Sequence, residues 1–222
     1  MKDYRKEGKI EGELTIDGNL TLTGNLEVST YLQVTGYIDC AGYSIKTGYS
    51  IKAGGTIETG YSIEAGGSIK AGGTIEVGYW IKAGYWIEAG DSIEACGSIK
   101  AGYWIEAGGS IEAGDSIEAG NSIKAGYLIE AGGSIEAGDS YGVLAGLSIT
   151  CKGTLSFGLK AFAGINTWKT IEDSEKTITC SKLIGGGVVE YGILVETGEV
   201  KDDATAKAIK LLEDNGYKIV KE

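Results

Sequence analysis

Isoleucine stands at position 45 and at every sixth position after it through Ile135, sixteen times without a miss. Each is followed by Lys or Glu, then by a small residue (Ala, with Thr47, Thr59 and Val77 as exceptions), then by Gly, broken only at Cys96. The unit Ile-(Lys/Glu)-Ala-Gly-x-x excludes an α-helix. A glycine every six residues would cost about 1 kcal/mol each relative to Ala, and a spacing of six does not follow 3.6 residues per turn. Ile in, charge out, Ala in is the alternation of a short strand with one buried face, and Gly permits a sharp corner after it. An isolated three-residue strand cannot bury its Ile. Stacked coils can, because each Ile packs on counterparts about 4.8 Å above and below. The expected fold is an all-β parallel β-solenoid.

Three units per coil give a three-sided solenoid of about 18 residues per turn. Every third unit from Glu58 carries Glu as its outward charge: Glu58, Glu76, Glu94, Glu112 and Glu130. The other two columns mix Lys and Glu. A looser form of the repeat extends upstream, where Ile10, Leu14, Leu20, Leu26, Leu32 and Ile38 align with Ile16, Leu22, Val28 and Val34 two places after most of them. The expected organisation is a charged segment 1–9, a solenoid over 10–140, and a region 141–222. That last region holds an irregular β cap and a small α+β tail. Its expected strands are 176–183 and 188–197, followed by a helix near 203–214 capped by Asp202 or Asp203. A cap is expected because an open solenoid end is an unpaired edge.

The formal net charge is −11, and the repeat block 45–140 holds −7 of it, against −3 before and −1 after. An acidic rod is repelled by nucleic-acid phosphates and by anionic membranes, so neither is an expected direct partner; a basic protein surface is. The 38 glycines would suggest a disordered linker if they were unordered. Here they keep register with Ile. Cys40, Cys96, Cys151 and Cys180 form no CxxC pair, and no His is present to complete a zinc site. Four free thiols in a reducing cytoplasm are expected. There is no signal-peptide pattern at the start and no apolar run near the length of a membrane span, which fits a cytoplasmic protein.

The stretches Gly18-Asn19-Leu20 and Gly66-Gly67-Ser68-Ile69-Lys70-Ala71-Gly72 carry a resemblance to the bactofilins, bacterial polymer-forming cytoskeletal proteins built on a right-handed β-helix. The resemblance covers residues 10–140 and implies a right-handed coil. The hexapeptide acyltransferases are a poorer likeness, since their unit places Gly just after the aliphatic residue.

Enzymes on such scaffolds need loops that converge catalytic groups, and the block 45–140 has no insertion. No catalytic residue, cofactor site or metal site is assigned, and the chain is expected not to be an enzyme. The glycine-rich stretches are corners and not phosphate loops, because none leads from a strand into a helix. Asp91, Asp115 and Asp139 follow Gly without the spacing of calcium-binding nonapeptides.

Two surface features remain as candidate partner-binding residues. One is the column Glu58, Glu76, Glu94, Glu112, Glu130, which reads either as a solvated face or as a mimic of nucleic acid. The other is aromatic: Trp80, Trp86 and Trp104 replace Ser or Thr just before an Ile, with Tyr79, Tyr85 and Tyr103 before them. With 18 residues per turn, Trp86 and Trp104 should stack on adjacent coils. This patch reads equally as a contact surface or as rigidified corners.

The compact repeat, small tail and absence of catalytic equipment resemble phage or mobile-element accessory proteins. The leading expectation is a non-catalytic binding protein that inhibits or sequesters a macromolecule. An anti-CRISPR-like inhibitor of a nucleic-acid-handling defence complex, acting in the host cell cytoplasm, would fit. The alternative is a bactofilin-like self-assembling scaffold, a homo-oligomer. A ligand-binding or carbohydrate-active β-helix is a weaker third.

Overall fold

The computed structural model describes residues 2–40, 42–167 and 169–198. Every regular element among them is a β-strand except one 3-10 turn, Asp173–Lys176. The chain is a parallel β-solenoid. From Ile45 to Ala137 each repeat unit contributes one three-residue strand: Ile45–Thr47, Ile51–Ala53, Ile57–Thr59 and onward in the same rhythm. All strand pairings are parallel, and each joins residues one coil apart. Ile69 lies opposite Ile51 and Ile87, and Ile93 opposite Ile75 and Ile111, at the 18-residue interval expected for three units per coil.

The stacked strands make three faces. The first runs through Ile38–Cys40, Ile57–Thr59, Ile75–Val77, Ile93–Ala95, Ile111–Ala113 and Ile129–Ala131. The second runs through Ile45–Thr47, Ile63–Ala65, Ile81–Ala83, Ile99–Ala101, Ile117–Ala119 and Ile135–Ala137. The third is a ten-stranded sheet from Leu14–Ile16 to Val188–Tyr191. The core is the column of inward side chains. Every repeat Ile is at most 1% exposed, and the inward Ala residues at most 7%. Burying each Ile contributes about 1.5–3 kcal/mol, which is what holds the rungs together.

The expected reason for the repeat glycine needs correction. Among the described residues, positive φ occurs only at glycines outside the block 45–140, such as Gly42 and Gly164. Inside the block the glycines turn the corner with ordinary backbone angles, so conformational freedom is not what selects them. Close approach is. A Cβ on Gly84 would lie 2.0 Å from the carbonyl oxygen of Gly66 one coil below, and one on Gly114 would lie 1.8 Å from that of Cys96. The corners stack backbone on backbone with little room for a side chain; Cys96, exposed, is the one residue of the block that carries one at this position.

The frequent Ser before Ile also gains a reason. The Ser68 N–H donates to Ser50 Oγ (3.0 Å), Ser110 N–H to Ser92 Oγ (3.1 Å) and Ser134 N–H to Ser116 Oγ (3.2 Å). At the corner each amide turns away from the strand ladder, and the hydroxyl one coil below accepts it.

Outside the uniform block the coil continues. Asp3–Ile10 pairs with Asn19–Val28, with a register shift between Lys6 and Gly8. Beyond Ala137, Val143–Ala145, Ile149–Cys151, Thr154–Ser156 and Lys160–Ala163 extend the three faces. Thr177–Cys180, Lys182–Ile184, Val188–Tyr191 and Ile193–Glu196 follow as further rungs of the same stack. The spacing loosens there. Ile129 lies opposite Ile149, and Ile149 opposite Ile178, an interval of 29 residues that contains the excursion from Gly164 to Lys176. The helix expected near 203–214 lies outside the described residues.

Candidate functional site: a carboxylate face and aromatic corners

The coil turns sequence positions into surface rows, because the middle residue of each three-residue strand points outward. On the first face that row reads Asp39, Glu58, Glu76, Glu94, Glu112, Glu130, then Thr150 and Thr179. The five glutamates stand in strict register on consecutive rungs, about 4.8 Å apart. They line a shallow groove of about 530 Å³ whose floor is Gly60, Gly78 and Gly114 at the corner, with Cys96 among them and Lys152 at the far end. Cys96 is an exposed free thiol.

The other two faces differ in charge. On the second face Lys46 and Lys82 both pair with Glu64 (3.4 and 3.9 Å), and Lys100 pairs with Glu118. On the third, Lys70 pairs with Glu88 (2.7 Å) and Lys124 with Glu106 (2.6 Å). These ion pairs run between rungs of the same column. Among the described residues no such pair reaches Glu58, Glu76, Glu94, Glu112 or Glu130. Partial burial, and after it the flanking charges of Glu94 and Glu130, hold the Glu112 carboxyl above the ordinary carboxylate range. Like charges on neighbouring rungs add to the cost that burial places on its ionisation.

The aromatic candidates separate into two corners. Trp86 and Trp104 stack with ring centroids 5.4 Å apart and planes 9° from parallel, beside the stacked pair Tyr85 and Tyr103 at 5.7 Å. Both pairs mark the corner between the second and third faces, on the far side of the second face from the glutamate row. Trp80 stands at the corner between the first and second faces, and Tyr79 there stacks on Tyr61 at 6.0 Å. Tyr61 and Tyr79 directly follow Gly60 and Gly78 of the groove, with Trp80 at the same corner, whereas Trp86, Trp104, Tyr85 and Tyr103 stand at another. Trp80, Trp86 and Trp104 are half-buried, and Ser62 and Ser68, one coil below Trp80 and Trp86, are covered almost completely. Two clefts flank the Trp86–Trp104 pair. One, of about 400 Å³, is bounded by Trp86, Ser68, Ser50, Tyr31 and Lys52; the other, of about 280 Å³, by Trp104, Ser122, Lys124 and Tyr141.

Sequence reasoning passed over Tyr61 and the stacked pair Tyr31–Tyr49 (5.3 Å). The signal was present: Tyr31 and Tyr49, and Tyr61 and Tyr79, stand 18 residues apart, one coil in the expected frame.

Chemically, the first face is a row of hydrogen-bond acceptors of one sign on a rigid scaffold, suited to cationic groups. Among the described residues no cluster of three or more Cys, Asp or Glu is placed to hold a metal ion, and no helix is long and apolar enough to cross a membrane. Comparison with protein-family models, with curated proteins and with solved structures returns no match to this chain.

Proposed function

We propose that this chain is a non-catalytic binding rod whose first face engages the basic surface of a macromolecular partner, inhibiting or sequestering it. One observation carries the reading: five carboxylates in register share a face with no cation in their row, while the Lys and Glu of the other two faces neutralise each other. A stack of like charges is unfavourable in the free protein, and lysines or arginines of a partner would relieve it. Trp80, Tyr79 and Tyr61, at the corner that follows the glutamate row, supply apolar area near the charge, the composition of an interface centre. A partner that normally holds nucleic acid has such a basic groove, and an inhibitor of a nucleic-acid-handling complex, of the phage anti-defence kind, is the specific form we favour.

A decalysine peptide is a defined probe of the face. The variant Glu76→Gln/Glu94→Gln/Glu112→Gln should bind it at least tenfold more weakly than wild type at moderate salt. The variant Glu88→Gln/Glu106→Gln/Glu118→Gln, equal in net charge but altered on the other faces, should bind nearly as wild type does. Equal losses in both would reduce the effect to net charge and remove the first face as a site.

A second reading, end-to-end assembly into a scaffold, rests on a different observation. The last described strand, Ile193–Glu196, is exposed along its whole length, with Ile193, Leu194 and Val195 each about two-fifths accessible. An apolar strand edge is a template for another chain. Concentration-independent light scattering of a monomer would exclude this reading and leave the first untouched.

A further inference from the structure

The inward residues of the first face end in a chemical coincidence. Strands Ile149–Cys151 and Thr177–Cys180 run parallel, with Ile149 opposite Ile178 and Thr150 opposite Thr179. The next opposite positions are Cys151 and Cys180. Both side chains point into the core, 3% and 1% exposed, and both are free thiols. Neighbouring strands lie about 4.8 Å apart, inside the Cα separation of about 4.4–6.8 Å that a disulfide spans. Burial, and after it the proximity of Cys180, pushes the Cys151 thiol up to about 12. Cys180 is raised as well, chiefly by burial. The other two cysteines have no such neighbour: Cys40 faces Thr59 on the next rung, and Cys96 is exposed at a corner.

We propose that Cys151 and Cys180 are a built cross-linking site, joined as an intrachain disulfide by a low-molecular-weight disulfide such as glutathione disulfide. One cysteine thiolate attacks the oxidant's S–S bond, forming a mixed disulfide and releasing one glutathione thiolate. The second cysteine thiolate then attacks the protein-side sulfur of that mixed disulfide, closing the Cys151–Cys180 bond and releasing the second glutathione. The two thiol protons end on the two glutathiones, so the protein loses two hydrogens and two electrons and the oxidant gains them. The bond would close the base of the excursion from Gly164 to Lys176, the longest departure from the coil among the described residues. Backbone ladder bonds, the core residues around Ile178 and Lys176 lying over the Tyr191 ring hold that base otherwise. Buried thiols react slowly, so the cross-link forms when the last rungs open. Among the described residues, Cys180 is covered on its outer side by the strand Ile193–Glu196.

The full-length protein is incubated with glutathione disulfide, denatured, alkylated and mapped by mass spectrometry. The expected product is one cross-linked peptide containing Cys151 and Cys180, with Cys40 and Cys96 alkylated or, for Cys96, capped by glutathione. Formation should accelerate at least tenfold in sub-denaturing urea. The oxidised protein should unfold several degrees higher, and dithiothreitol should reverse the shift. Cys151→Ala restores the small residue of the repeat at that position, keeps the coil and should abolish both the cross-link and the shift. Alkylation of both Cys151 and Cys180 after oxidation in urea would overturn the proposal. So would a cross-link joining any other pair, or an unchanged shift in the Cys151→Ala protein.

Discussion

The coils between Ile45 and Ala137 and those beyond Val143 share three faces and one core but obey different rules. In the first group the interval between stacked partners is constant, every inward position is Ile or a small residue, and the corners stack glycine on glycine. In the second the interval changes, Phe157 fills the core beside Leu155, and exposed apolar residues accumulate at Leu159, Ile184, Val188 and Leu194. The difference shows that the solenoid needs uniformity only where backbone meets backbone. Where corners lengthen into loops, larger and more varied residues enter.

The largest expected contrast is in the core. Ile105→Ala, at a fully buried site in the uniform block, should cost about 2–5 kcal/mol in denaturant unfolding. Leu194→Ala, on the exposed last strand, should cost less than about 1 kcal/mol. Similar losses at both sites would erase the distinction between the regions.

The glycine pair sharpens it further. Gly84→Ala pushes a methyl into the Gly66 carbonyl and should cost about 1–3 kcal/mol. Gly186→Ala meets nothing within 4 Å and has no positive φ, so it should be neutral or slightly stabilising. A tolerated Gly84→Ala would remove close approach as the reason for the repeat glycine.

The smallest effect concerns the glutamate row. The Glu112 carboxyl is held up in the folded chain, so the fold prefers its protonated form. The corresponding stability is fully present below the unfolded-state value of about 4.3 and is lost as pH rises through the folded-state value. Thermal unfolding of the wild type should therefore fall as pH rises from about 4 toward neutrality more steeply than that of Glu112→Gln. Solvent screening keeps the difference modest. Identical slopes would mean that the row does not repel itself.

Much of this architecture was readable in residue order. With no insertion between Ile45 and Ile135, position within an 18-residue frame determines face. The glutamate row and the Trp86–Trp104 stack followed from counting alone. Counting failed where the interval changed: after Tyr141 the frame is lost, and the continuation through Ile149, Ile178 and Leu194 rests on packing that spacing does not announce. The reason for glycine was hidden because residue type cannot tell a special dihedral from a close approach. The serine ladder was hidden because its partners are a full coil apart. The separation of Trp80 from Trp86 was legible as a one-face offset, but the groove along the glutamate row needed the shape of the corner.

The 18-residue frame has a consequence for how such a chain can change. Deleting a whole coil, for example residues 87–104, would shorten the rod by one rung and leave every downstream side chain on its original side. Deleting a single six-residue unit would satisfy the core equally well, since any Ile fits above any other. Everything beyond the cut would then turn by a third of a revolution, and Glu94, Glu112 and Glu130 would no longer continue the line of Glu58 and Glu76. The interior is indifferent to phase and the exterior is written in it. A lineage of such chains could therefore drift freely in length only in steps of three units, and any other step would scramble its surface while sparing its fold.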